Sequence, residues 1–105
     1  MEKKTINILG TEYEMSFDLD SKEADGEAKF YGKKIEIKPL ERMLDEDSTD
    51  EEKRRRQKEV IRHELWHCAL FEGGAENYAY DEALIDTLAI LSPKLFKVFQ
   101  ELDIL

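Results

Sequence analysis

His63 and His67 are the only two histidines in the chain, and the stretch that holds them reads HELWH. Side chains four apart on a helix project about 40° and roughly 6 Å from one another, so both imidazoles can reach one metal ion from the same side. Glu64 follows the first histidine and lies within about 60° of the second, close enough to face a water on such a metal. H-E-x-x-H is the spacing of zinc-dependent hydrolysis. The metal lowers the pKa of its water to about 7, and the glutamate, as general base, takes the water's proton during attack on a carbonyl. The plain alternative is two histidines on a charged surface. These two sit instead in an apolar stretch, VIRHELWHCALFE, where imidazoles need hydrogen-bond partners.

A catalytic zinc takes three protein ligands and keeps the fourth position for water. With no third histidine, the third ligand is a carboxylate or Cys68. Cys68 points about 100° away from His67 and reads as a core filler. Asp81, Glu82 and Asp86 open the next segment, DEALIDTLAIL, and Glu82 and Asp86 share one helical face. Glu82 is taken as the third ligand and Asp86 as the carboxylate that orients a histidine ring from behind. The competing reading is an acidic stripe facing solvent. Tyr78 and Tyr80, just before Glu82, are candidates to steady a developing oxyanion or contact substrate; the plainer role is to cover the core edge.

The elements that must position these groups change period near residue 40. Ile6 and Ile8, then Tyr13, Met15, Phe17 and Leu19, alternate with polar residues around Gly10-Thr11, which predicts two strands and a tight turn. Residues 20 to 27 read as polar connection. Ala28 and Phe30 precede the turn Tyr31-Gly32-Lys33, then Ile35 and Ile37 alternate with charges until Pro39 ends the strand. The expectation is a small antiparallel sheet of three or four strands over residues 1–39. Residues 40 to 44 suit a short helical turn, and Asp45 to Glu59 is almost wholly polar. Asp45 and Asp47 do not make a calcium loop, because Asp50 stands where its glycine is required.

From residue 48 the pattern is helical. Ser48 or Thr49 caps a helix whose first turn holds Asp50, Glu51 and Glu52, and Gly73-Gly74 stops it. Residues 75 to 80 read as a loop. A second helix covers 81 to 91, and Ser92-Pro93 is expected to end it and cap a C-terminal helix, with Leu95, Val98, Phe99 and Leu102 as core. The fold class is therefore α+β, one domain over residues 1–105.

HELWH followed by E-A-x-x-D resembles the gluzincin metallopeptidases, whose second helix carries a ligand glutamate and an aspartate four residues later. The resemblance implies a minimal zincin-like fold and one zinc on His63, His67 and Glu82. It also implies that Glu64 is the base and that Asp86 is hydrogen-bonded to His63. More narrowly, the sheet and the two helices look like short phage-encoded relatives of the ImmA/IrrE-type metallopeptidases, over roughly residues 27 to 92. Only 14 residues separate His67 from Glu82, short for gluzincins, and the chain has no room for the lobe that supplies an oxyanion residue in larger relatives. In zincin folds an edge strand lies over the cleft and pairs with extended substrate; Phe30 to Lys38 is the expected source of that edge.

The net charge of −9 repels phosphate backbones, which counts against nucleic acid as a partner. One cysteine excludes an intramolecular disulfide and suits a reducing compartment. No run approaches the roughly 20 apolar residues of a membrane span, and the N-terminus lacks a signal peptide's apolar region. The expectation is a cytoplasmic zinc metallopeptidase acting on a peptide or protein, such as a regulator. The alternative is a non-catalytic zinc-containing module that recognises a protein partner, with Asp81 or Asp86 closing the fourth zinc position. Oligomeric state is not readable from the sequence.

Overall fold

A computed structural model describes residues 3–105. Strand β1 (Lys3–Ile8) turns at Leu9-Gly10 into β2 (Thr11–Ser16), with Ile8 opposite Thr11. Both turn residues have positive φ, 51° and 96°, the backbone of the two-residue turn that matches strand twist. Strand β3 (Gly26–Lys29) and strand β4 (Lys34–Ile37) form a second hairpin. The sheet order is β1-β2-β4-β3.

This order corrects the expected all-antiparallel sheet, because β2 and β4 pair in parallel. The chain leaves β2, runs past β4 to the far edge, and returns through the hairpin into the gap. Leu19 N–H still donates to the Ile37 carbonyl at 3.1 Å on the way. The most apolar strand thereby takes the interior place: Ile35 and Ile37 are fully buried. The edge beside the helices is β3, Gly26–Lys29, one strand earlier than the Phe30–Lys38 segment expected to supply it. Residues 20 to 27 thus contain a strand start that their polarity hides.

Helix α1 (Asp50–Glu72) begins with a capping box. Glu52 N–H donates to Thr49 Oγ1 at 3.1 Å, and Thr49 N–H donates to Glu52 Oε1 at 2.7 Å. Its first half is mostly exposed; its second half packs Val60, Glu64, His67 and Cys68 against the sheet. A short helix α2 (Glu76–Ala79) stands where a plain loop was expected.

Helix α3 (Glu82–Glu101) is continuous, so Ser92-Pro93 does not divide it. Proline in a helix interior removes the bond to the carbonyl four residues earlier, here Ala89. Arg62 of α1 fills that vacancy, its Nε–H donating to Ala89 O at 2.7 Å. Trp66 Nε1–H donates to Ser92 Oγ at 3.2 Å, so Ser92 serves α1 rather than capping a new helix. The expected core stripe beyond it is a second correction: Leu95, Val98 and Leu102 are 45%, 43% and 64% exposed. The polar contacts of α1 on α3 reach no further than Ser92, and α3 runs on past them.

Replacing Arg62 by Leu should orphan a buried carbonyl and lower stability by about 1–3 kcal/mol. The same change in a Pro93→Ala background, where an N–H can reach Ala89, should cost clearly less. Urea denaturation of the four proteins of this cycle measures the coupling; equal costs in both backgrounds would refute the compensation.

Candidate metal centre

Three turns of chain bring the site together. Gly73 N–H returns to Ala69 O at 2.8 Å and closes α1; Gly74, at φ 87°, reverses the chain. The four residues of α2 follow, and Asp81 then caps α3 by accepting from Leu84 N–H at 3.1 Å. Glu82 is therefore the first residue of α3, set opposite the HELWH turn of α1.

The carboxylate of Glu82 lies 3.0 Å from His63 Nε2 through Oε2 and 3.0 Å from His67 Nε2 through Oε1. The two Nε2 atoms are 3.1 Å apart. Behind them, His63 Nδ1 lies 2.9 Å from Asp86 Oδ1, and His67 Nδ1 lies 2.5 Å from Ala79 O. A carbonyl only accepts, so His67 carries its proton on Nδ1. Asp86, as a carboxylate, likewise accepts from His63 Nδ1–H. In this tautomer an uncharged imidazole presents a bare lone pair at Nε2.

Two imidazole nitrogens and a carboxylate thus converge on one point, an arrangement that a cation at their centre would satisfy. The ligand atoms of His63, His67 and Glu82 lie within 4.8 Å of one another. Two nitrogens about 2.0 Å from a tetrahedral zinc would be separated by roughly 3.3 Å, near the spacing seen here. Two imidazoles and one carboxylate are a zinc donor set, and the carboxylate and carbonyl on the Nδ1 atoms are the outer partners such histidines use.

No described residue is placed to complete a closed four-ligand site. Asp81 is engaged at the helix cap, Asp86 sits behind His63, and Cys68 is fully buried in the core. Burial pushes the Cys68 thiol up to about 12, which keeps it protonated.

Glu64 points into a cleft of about 450 Å³ between β3, α1 and the start of α3. It is only 6% exposed. Burial raises its pKa above the ordinary carboxylate value; the neighbouring imidazoles oppose this, and the negative charges of Glu82 and Glu27 add to it. Gly26 makes this position possible. A Cβ there would come 2.7 Å from Val60 Cγ1 and 3.0 Å from Glu64 Oε2. Beyond Gly26 the cleft is lined by Ala28 and Phe30, with Tyr80 edge-on to the Phe30 ring at 5.3 Å.

The structure thus brings together His63, His67, Glu82, Asp86 and Glu64, with Tyr80 on the cleft wall. Tyr78 lies outside the lining, 59% exposed. Sequence reasoning missed Gly26, Ala28 and the Ala79 carbonyl. The small residues Gly26 and Ala28, alternating beside acids, were the available signal for a strand pressed against a helix. Comparison with protein-family models, curated proteins and solved structures finds no match for this chain.

One equivalent of zinc per chain should bind, by metal analysis after dialysis, and His63→Ala or Glu82→Ala should lose it. Asp86→Asn should keep the site but weaken affinity about 10- to 100-fold. Unchanged zinc content in both alanine variants would rule out this donor set.

Proposed function

We propose that the chain is a zinc-dependent metallopeptidase of the gluzincin type, similar to short ImmA/IrrE-type enzymes, acting on a protein substrate in the cytoplasm. The observation that carries this reading is the convergence of both Nε2 lone pairs and the Glu82 carboxylate beside a buried Glu64 that lines an open cleft. Zinc held there would supply a Lewis acid and a water acidified to near neutral pH. Everything else is the work of the chain's own residues.

Asp86 and the Ala79 carbonyl hold the rings in the tautomer that binds metal. Glu64 takes the proton of the attacking water. Its raised pKa moves it towards working pH, where a base both exists deprotonated and holds a proton well enough to pass it on. Tyr80, on the cleft wall, is the group available to donate a hydrogen bond to the oxyanion.

The exposed edge of β3 offers a substrate rail. Lys38 N–H donates to Asp25 O at 2.9 Å, so in the alternating antiparallel pattern Glu27 and Lys29 also face β4. The N–H and C=O groups of Gly26 and Ala28 then face outward. An extended peptide can add there as a further strand, with its backbone held across the cleft. The non-catalytic alternative, a closed structural zinc, has no fourth ligand among the described residues.

Glu64→Gln should keep stoichiometric zinc and lose at least about 10³-fold in peptide hydrolysis. Gly26→Ala should also keep zinc while lowering kcat by about 10²-fold, since its Cβ must displace the base or the strand. A screen against a library of unstructured peptides, with cleavage read by mass spectrometry, provides the assay. Cleavage that survives Glu64→Gln undiminished would dismiss the assignment.

A further inference from the structure

Helix α3 has two apolar faces, and the metal centre and α1 use only one. Glu82, Ile85, Ala89 and Ser92 face α1. At about 100° per residue, a second row is centred roughly 120° round the helix from that face. It reads Leu84, Leu88, Leu91, Leu95, Val98 and, at the C-cap, Leu102, with spacings of four and three in strict alternation. That is the a and d pattern of a coiled-coil seam. The first three are half-buried; Leu95, Val98 and Leu102 are 45%, 43% and 64% exposed. A lone surface helix has no use for such a row, which costs solvent exposure of large aliphatic groups.

We propose that this row pairs α3 with the α3 of a second copy of the chain, in antiparallel orientation. The charges choose the occupant and the direction. After Asp86 the segment carries Lys94, Lys97, Glu101 and Asp103, a balance of zero in a chain of net charge −9. Lys94 and Glu101 both occupy the g position beside the seam, and g positions face one another in an antiparallel pair. One register sets Leu95 against the partner's Val98 and Leu91 against the partner's Leu102. The same register sets Lys94 against the partner's Glu101, twice by symmetry. Sliding by one heptad would oppose Lys94 to the partner's Lys94. Parallel pairing would oppose Lys94 to the partner's Phe99 and leave both charges without a partner.

Glu82 and Asp86 point the other way, so pairing leaves the metal centre and its cleft open. The inference therefore stands or falls apart from the peptidase reading.

Sedimentation equilibrium of the full chain from about 5 to about 300 μM, a range suited to a short seam, provides the test. The mass should rise from one chain to two across that range. Leu95→Glu with Val98→Glu should hold it at one chain, with helical signal and zinc content unchanged. Glu101→Lys alone should raise the dissociation constant roughly tenfold, and adding Lys94→Glu should restore it. The proposal is overturned by a wild-type mass of one chain at the highest concentration, or by pairing that survives the double glutamate variant. A charge swap that restores nothing overturns the antiparallel arrangement.

Discussion

Each histidine of the centre has the proton of its Nδ1 committed elsewhere, and much of the surrounding structure follows from that commitment. His67 Nδ1 faces Ala79 O and His63 Nδ1 faces Asp86, so both Nε2 lone pairs are turned towards Glu82. The Ala79 carbonyl is free to accept because α2 is four residues long and its last carbonyl has no helical partner. The Gly73-Gly74 reversal, the single turn of α2 and the Asp81 cap have a common result. They set Glu82 at the first position of α3, within reach of a helix that ended at Glu72. A spacing of 14 residues between His67 and Glu82 suffices because it consists of the last turn of α1, two glycines, the short α2 and a cap.

Two clamps hold α1 against the sheet on either side of the cleft. At one end the Glu72 carboxylate accepts from Lys33 Nζ and Tyr13 Oη at 2.7 Å each and from Thr11 Oγ1 at 3.0 Å. A glutamate in the last turn opposes the helix dipole; Lys33, then Tyr13, offset this and hold its carboxyl below the ordinary range. At the other end Asp25, just before β3, pairs with Arg56 at 2.9 Å and Lys38 at 3.1 Å. Burial works against the charged form of Asp25, but these two cations outweigh it and lower its pKa. Between the clamps the spacing of α1 from β3 is set, and it is close enough that only glycine fits at position 26.

What could be read in the sequence divides by distance along the chain. The HELWH spacing, the Glu82–Asp86 pair, the Thr49 cap and the Gly73-Gly74 stop are all local, settled within one or two turns of helix. The misread features depend on residues far away. Pro93 looks like a helix boundary until Arg62, 27 residues before Ala89, reaches the orphaned Ala89 carbonyl. The strand at Gly26 has almost no apolar signal of its own; it exists because β4 pairs with it and α1 covers it. Parallel pairing of β2 with β4 is likewise invisible to a period-two pattern, which reports which face is buried but not which neighbour lies alongside. Leu95, Val98 and Leu102 were correctly read as one helical stripe, yet periodicity does not say whether the element that covers a stripe belongs to the same chain.

The two glutamates of the cleft show how environment assigns different work to one side chain. Glu82 is 68% exposed at its side chain and shares its oxygens between two imidazoles. An accessible carboxylate with both oxygens turned to imidazole nitrogens suits a ligand. Glu64 is 6% exposed, has Gly26 and Val60 packed beside it, and owes its raised pKa first to burial. A carboxylate whose burial favours its protonated form readily takes a proton from a water and suits proton transfer. Neither residue type nor the spacing of HELWH separates these roles by itself. They are separated by β3, which closes over one carboxylate and leaves the other open, so the strand hardest to see in the sequence is the one that distinguishes the proposed base from the proposed ligand.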